Sequence, residues 1–209
     1  MSAREEILNR LVGQVREASP PAPWRSQRQF ANPAEQFCQA LTAAKGEVRR
    51  AGNREEALDH LSEILREINA QSALIDDHPD LAGLEPTERW PEINWHVVGH
   101  SDGDLRQFAA TADVGIGGAD AALAETGTVV ISSGSGRSRL TSLMPPVHIV
   151  LVPASCLTSD LFTWMAEQKP PLPASITLIS GPSKTADIEQ TMAVGVHGPG
   201  RFIALLYQD

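Results

Sequence analysis

Residues 113–139 read DVGIGGADAALAETGTVVISSGSGRSR, from Asp113 to Arg139, and this stretch sets the fold class. Two apolar, strand-like pieces, Val114–Ile116 and Thr128–Ser132, each run into glycines, acids and small hydroxyl residues. Parallel α/β sheets place ligand-facing loops in this way, at the carboxyl ends of buried strands. Glycine lets a backbone approach a ligand and offer it N–H groups. The stretch therefore marks a small-molecule site, although it does not name the ligand.

Working outward, His148–Val152 and Ile176–Ile179 are nearly all apolar, as strands buried on both faces are. Ala73–Ile75, His96–Val98 and Phe202–Leu206 have similar character, and helical stretches fall at Asp102–Ala110, Thr158–Glu167 and Thr185–Val194. Strands alternating with helices predict an α/β protein, with a mostly parallel sheet flanked by helices. Toward the N-terminus, Ser2-x-x-Glu5, Asn32-Pro33-x-Glu35 and Asn53-x-x-Glu56 each set a capping side chain three residues before a glutamate. Pro33 falls at a first helical position, where its missing N–H costs nothing. Helical apolar spacing follows each cap, as in Leu58, Leu61, Leu65 and Ile68. Ser19–Gln29 is rich in proline and reads as a linker. The expected organisation is an N-terminal helix and proline-rich linker over 1–30, then an α/β domain over 31–209.

Composition narrows the function classes. The chain has 209 residues, 42% apolar and 21% charged, the make-up of an ordinary globular protein. Its net charge of −9 comes from residues 71–209, with many acids between Asp76 and Asp104 facing Arg89 alone. Such a stretch repels phosphate backbones and argues against nucleic acid as a partner. No apolar run approaches the roughly 20 residues that cross a membrane. The opening MSAREEILNR carries acids where a signal peptide needs an apolar core, so a cytoplasmic location is expected. Cys38 and Cys156 are too few for an iron–sulfur cluster and read as buried structural thiols. No His or Cys pair has metal-ligand spacing, so no metal site is expected.

Three loops carry the chemistry, each placed just after a strand. The first holds Gly118 and Asp120. In the second, Gly134 and Gly136 precede Arg137 and Arg139, two guanidiniums suited to bidentate capture of a carboxylate or phosphate. The third, Gly181–Asp187, sets Ser183, Lys184, Thr185 and Asp187 before an expected helix, whose first N–H groups would bind an anion or simply be capped. It lacks GxxxxGK[ST], which excludes a nucleotide P-loop. Glu125, beside Thr126 in Ala-Glu-Thr-Gly-Thr, reads as nucleophile, general base or orienting group, or as a carboxylate tied to Arg137, Arg139 or nearby N–H groups. His197, in Gly-Val-His-Gly-Pro, suits acid/base work or a turn contact. The residues by themselves support an α/β protein with an anionic-ligand pocket.

The stretches DVGIGGADAALAETGT (113–128), LMPPVHIV (143–150) and SGPSKTADIE…GVHGPG (180–200) resemble the lactate utilization protein C family, the LUD domain proteins. The resemblance covers most of Asp113–Leu206 in order and spacing. It implies the NagB/RpiA/CoA transferase-like fold, shared with phosphosugar isomerases and 5-formyltetrahydrofolate cyclo-ligase. It further implies a component of L-lactate oxidation to pyruvate, working with iron–sulfur partner proteins and carrying no cofactor of its own. The related CoA transferases use a glutamate beside a glycine turn as nucleophile, which matches Glu125. Gly117 and Lys184 depart from the family pattern, which often has Thr or Ser, and Arg, at these places.

Overall fold

A computed structural model describes residues 2–12, 24–186 and 192–209. The chain begins with helices α1 (Ala3–Val12) and α2 (Pro33–Ala43), then strand β1 (Glu47–Ala51), helix α3 (Arg54–Glu67) and strand β2 (Ser72–Ile75). It continues through α4 (Pro86–Arg89), β3 (Asn94–Val97), α5 (Leu105–Ala109) and β4 (Val114–Gly118). Next come β5 (Ala121–Leu123), β6 (Thr128–Ser132), α6 (Arg139–Leu143), β7 (Val147–Pro153), β8 (Leu157–Thr158) and α7 (Leu161–Glu167). The last strands are β9 (Ile176–Ile179), β10 (Lys184–Ala186), β11 (Met192–Val194) and β12 (Arg201–Tyr207).

The helix starts fall where the caps put them. Asn32 Oδ1 accepts the Glu35 N–H at 3.1 Å, and Asn53 Oδ1 accepts that of Glu56 at 3.0 Å. At the N-terminus Ser2 and Glu5 bond reciprocally, at 3.3 and 2.7 Å, closing a capping box. The expected starts at Asp102 and Thr158 move inward. Asp104 caps α5 and Asp160 caps α7, each accepting first-turn N–H groups, and Thr158 belongs to β8.

Six strands form one sheet in the order β1-β12-β7-β4-β2-β3, every neighbouring pair parallel. On one face, Leu58, Leu61 and Leu65 of α3 bury against Val114, Ile116, Ile149, Leu151, Ile203 and Leu205. On the other, Phe37 and Leu41 of α2 pack with Val150, Val152, Phe202 and Leu206, and with Val129 and Ile131 of a smaller sheet. One fully buried leucine contributes about 1.5–3 kcal/mol, whereas an exposed ion pair such as Arg50–Glu35 contributes about 0–1 kcal/mol. These two cores, and not the surface charges, hold the fold. The smaller sheet runs β8-β5-β6-β9, with β5 and β6 joined as an antiparallel hairpin.

One expectation is corrected. Thr185–Val194 was read as a helix, but its described residues form the antiparallel pair β10–β11, with Lys184 opposite Val194 and Thr185 opposite Ala193. The ladder extends past the strands, because the Gly195 N–H donates to the Ser183 carbonyl and the Ser183 N–H to the Pro199 carbonyl. With its backbone groups taken up sideways, the segment cannot also close helical turns. Asp187 lies outside the described residues. No described helix is long and apolar enough to cross a membrane.

Candidate functional site

The carboxyl ends of β2 and β4 carry a network of buried charge. Asp76 directly follows β2, its N–H bonded to the Ile116 carbonyl. Its Oδ1 accepts the Thr141 hydroxyl at 2.7 Å and the Ser138 N–H at 3.1 Å. Burial pushes its carboxyl up to about 6, and those two bonds hold back a larger rise. His78 packs directly over Gly118, where a β-carbon would lie 2.0 Å from His78 Nδ1, so only glycine fits beneath the ring.

His78 stands between Asp80, with Nδ1 3.3 Å from Oδ2, and Asp120, with Nε2 3.8 Å from Oδ1. Burial alone lowers a histidine, but these two carboxylates outweigh it and raise His78 to about 9. The ring is therefore an imidazolium at neutral pH. Its Nδ1 then donates toward Asp80 Oδ2 and no longer accepts the Asp80 N–H that lies 3.2 Å away. Asp120 also accepts the Ser132 N–H at 2.5 Å and the Arg137 guanidinium at 2.8 Å. Burial acts to raise Asp120, but His78, Ser132 and Arg137 hold it down at about 2. The Gly134–Arg137 turn is clamped to this cluster, since the Asp77 N–H donates to the Gly136 carbonyl at 2.8 Å.

A cavity of about 230 Å³ opens beside the network, between the two sheets. Its walls include Ser142 of α6, His148 of β7, Ser180 and Ser183 beyond β9, and His197. His148 is 1% exposed, and its ring lies 5.5 Å from that of Phe202. Neither ring nitrogen has a hydrogen-bond partner among the described residues. Burial pushes its pKa down to about 3, so the free ring is neutral. Leaving a buried polar group unsatisfied costs about 1–3 kcal/mol, which makes His148 a candidate to receive a ligand or water.

Gly117 lies between Asp76 of the network and His148 of the cavity wall. A β-carbon there would lie 3.5 Å from Asp76 Oδ2 and 3.7 Å from His148 Nε2. Asp76 and His148 thus face the same small space over β4.

The structure sorts the residues singled out in the sequence into separate places. Gly118, Asp120, Gly134, Gly136 and Arg137 come together in the charge network, while Arg139 is exposed at the start of α6. Ser183 and His197 share the cavity wall. Glu125 lies at the β5–β6 turn, the end of the hairpin opposite Asp120, and pairs with Arg28. The Thr126 hydroxyl reaches the cavity indirectly, through Thr128 at 2.6 Å and on to Ser180 at 2.7 Å. The Lys184 ammonium is spent on the Ala44 carbonyl, and Thr185 lies in β10. Asp76, His78, Thr141 and His148 were missed. Two signals pointed to them: an acid directly after an apolar strand, and a histidine inside the otherwise apolar Val147–Pro153. The described residues hold no group of three or more His, Cys, Asp or Glu side chains placed to bind a metal.

These features define an α/β protein with a parallel sheet, a charged cluster at its strand ends and a small cavity between its two sheets. The LUD domain family model matches residues 34–207, and the chain belongs to that family. It is 37% identical over 163 residues to a lactate utilization protein C of Halalkalibacterium halodurans, covering 74% of this chain and 69% of that protein. A lactate utilization protein C of Exiguobacterium is 44% identical over 111 residues, covering 50% of this chain and 48% of that one. The fold is shared with a DUF162 family protein from Deinococcus radiodurans, with a TM-score of 0.54 at 16% identity, covering 85% of this chain and 99% of that one.

Proposed function

We propose that this chain is the C-type component of a system that oxidises L-lactate to pyruvate in the cytoplasm, and that it binds a small anionic ligand. The names of its relatives supply the metabolic setting. The observation that carries the ligand is the cavity wall, where the unpartnered ring of His148 shares the lining with the hydroxyl residues Ser180 and Ser183. Neutral donors around a recess of this size suit a small acid, because they satisfy its oxygens without a permanent counter-ion. Ser183 and His197 belong to the same wall, and Arg137, Asp120 and Gly118 belong to the charge network around His78. Partner proteins hold the iron–sulfur clusters, in keeping with the two cysteines of this chain.

A second reading, a non-catalytic module that docks to those partners, is favoured by α1. That helix buries none of its residues and exposes Ile7, Leu8, Leu11 and Val12. Growth on L-lactate separates the two readings. In a strain lacking the gene, the wild-type chain restores growth, and His148→Phe, accumulating to the same level, does not. Full growth with His148→Phe would leave the docking reading standing and remove the cavity from the function.

A further inference from the structure

His148 and Asp76 come from different strands and meet over the one residue of β4 that leaves room between them. Gly117 has no side chain, and a β-carbon there would touch both groups at ordinary contact distance, 3.5 and 3.7 Å. Asp76 Oδ2 and His148 Nε2 therefore flank the space above Gly117, from which a ligand oxygen can approach both. Only Oδ1 of Asp76 is engaged by Thr141 and Ser138, which leaves Oδ2 for this space. The imidazole is unpartnered on both nitrogens among the described residues.

The geometry points to a proton-handling pair, Asp76 and His148, that receives the head group of a small carboxylic acid over Gly117 together with one proton, and that disfavours phosphate. This deepens, and rests on, the ligand reading above. An anionic head beside an ionised Asp76 is repelled, and the space supplies one means of relief. A proton from solvent enters with the ligand and is shared among the carboxylate, Asp76 and His148, with no bond broken and no oxidant needed. One proton leaves Asp76 and a monocarboxylate with a single negative charge between them, but leaves two on Asp76 and a phosphate dianion in a buried site.

The walls supply no cation to make up that difference. None of the described residues lining the cavity is Lys or Arg. Arg137 is held by Asp120, and Lys184 by the Ala44 carbonyl. The other titratable groups near the pair are His197 at the cavity wall, and His78 and Arg137 acting on Asp76. Free Asp76 loses its proton at about 6, so above that pH each bound ligand must bring one in.

Calorimetry on the full chain, with pyruvate as probe and inorganic phosphate for comparison, tests the pair. The titrations run in two buffers of different ionisation heat, from about pH 6 to about pH 8. The pair requires uptake of about one proton per pyruvate at the alkaline end, an affinity that falls at least about tenfold across the range, and phosphate binding at least about tenfold weaker. Asp76→Asn keeps the acceptor for Thr141 and Ser138, so it should bind pyruvate with the pH dependence flattened to within about threefold. Gly117→Ala sets a methyl into the shared space without a clash and should abolish binding at an unchanged melting temperature. His148→Phe should weaken binding at least about tenfold. Pyruvate binding without proton uptake, or unchanged in His148→Phe and Gly117→Ala, overturns the pair and leaves the ligand reading intact. Phosphate binding as tight as pyruvate overturns the preference for a carboxylic acid. Wild-type protein that binds neither probe overturns both readings.

Discussion

At the residue scale, the network after β2 and β4 ties stability to pH with signs that follow from its partners. His78 is raised to about 9, above its unfolded value of 6.5, so its contribution is complete below about 6.5 and is lost as pH rises through 9. Asp76, raised from 3.8 to about 6, acts in the same direction, its contribution fading as pH rises through 6. Asp120, lowered to about 2, contributes above 3.8 and fails only as pH falls through 2. His148, lowered from 6.5 to about 3, contributes stability above 6.5 that is lost as pH falls toward 3, so thermal melts should peak near pH 6 to 6.5 and decline toward pH 9. His78→Gln should flatten the decline above about 6.5, where the charged ring is worth on the order of 3 kcal/mol. An unchanged alkaline limb in that variant would show that His78 is not charged in the fold. His148 behaves in the opposite way. Phenylalanine in its place removes two unsatisfied nitrogens beside Phe202, so His148→Phe should melt no lower than wild type, and up to about 1 kcal/mol more stably. Asp76 and His148 were legible only as oddities, an acid and a histidine among apolar residues. Their meeting depends on two strands brought together by β4, which no local pattern records.

Elements show why some of the fold was readable and some was not. Central strands such as β7 and β12 are almost wholly apolar, His148 and Arg201 apart, because both faces are covered, and the sequence displays this directly. β1, EVRRA, lies at the sheet edge with Arg49 and Arg50 exposed, so its charges hide its strand character. The β10–β11 pair went unread because its apolar spacing also fits a helix, and only cross-strand pairing decides between them. Gly127 illustrates how tightly the elements fit. Its φ of +64° and the Leu41 backbone nitrogen, 2.1 Å from where a β-carbon would sit, leave no room for a side chain. Gly127→Ala should cost more than about 2 kcal/mol in chemical denaturation, by forcing the β5–β6 turn off α2. Glu125, in the same turn, is half-exposed and paired with Arg28. Glu125→Gln should change stability by less than about 1 kcal/mol and leave growth on L-lactate intact. Loss of growth there would return the chemistry to the turn.

Across the whole molecule, the alternation of strands and helices foretold a parallel sheet, and the order of three motifs foretold the family. What they did not foretell is the division of labour. The glycine-rich stretch 113–139 builds the charge network, and the 180–200 segment helps to wall a neighbouring cavity. Their distance from one another is set by the packing of the smaller sheet on the larger. Helix α1 takes no part in either core, since it buries none of its residues. Removing residues 1–12 should shift the melting temperature by no more than about 2 °C, whereas residues 24–30 touch the body through Trp24 on Phe162 and Arg28 on Glu125. The central claim is that a small acid binds between the two sheets. Titration of the isotope-labelled chain with pyruvate, followed by amide chemical shifts, tests it most directly. Perturbations should cluster at Gly117, Ser142, His148, Ser180, Ser183 and His197. Perturbations confined to the Glu125 turn, or none at saturating pyruvate, would contradict it.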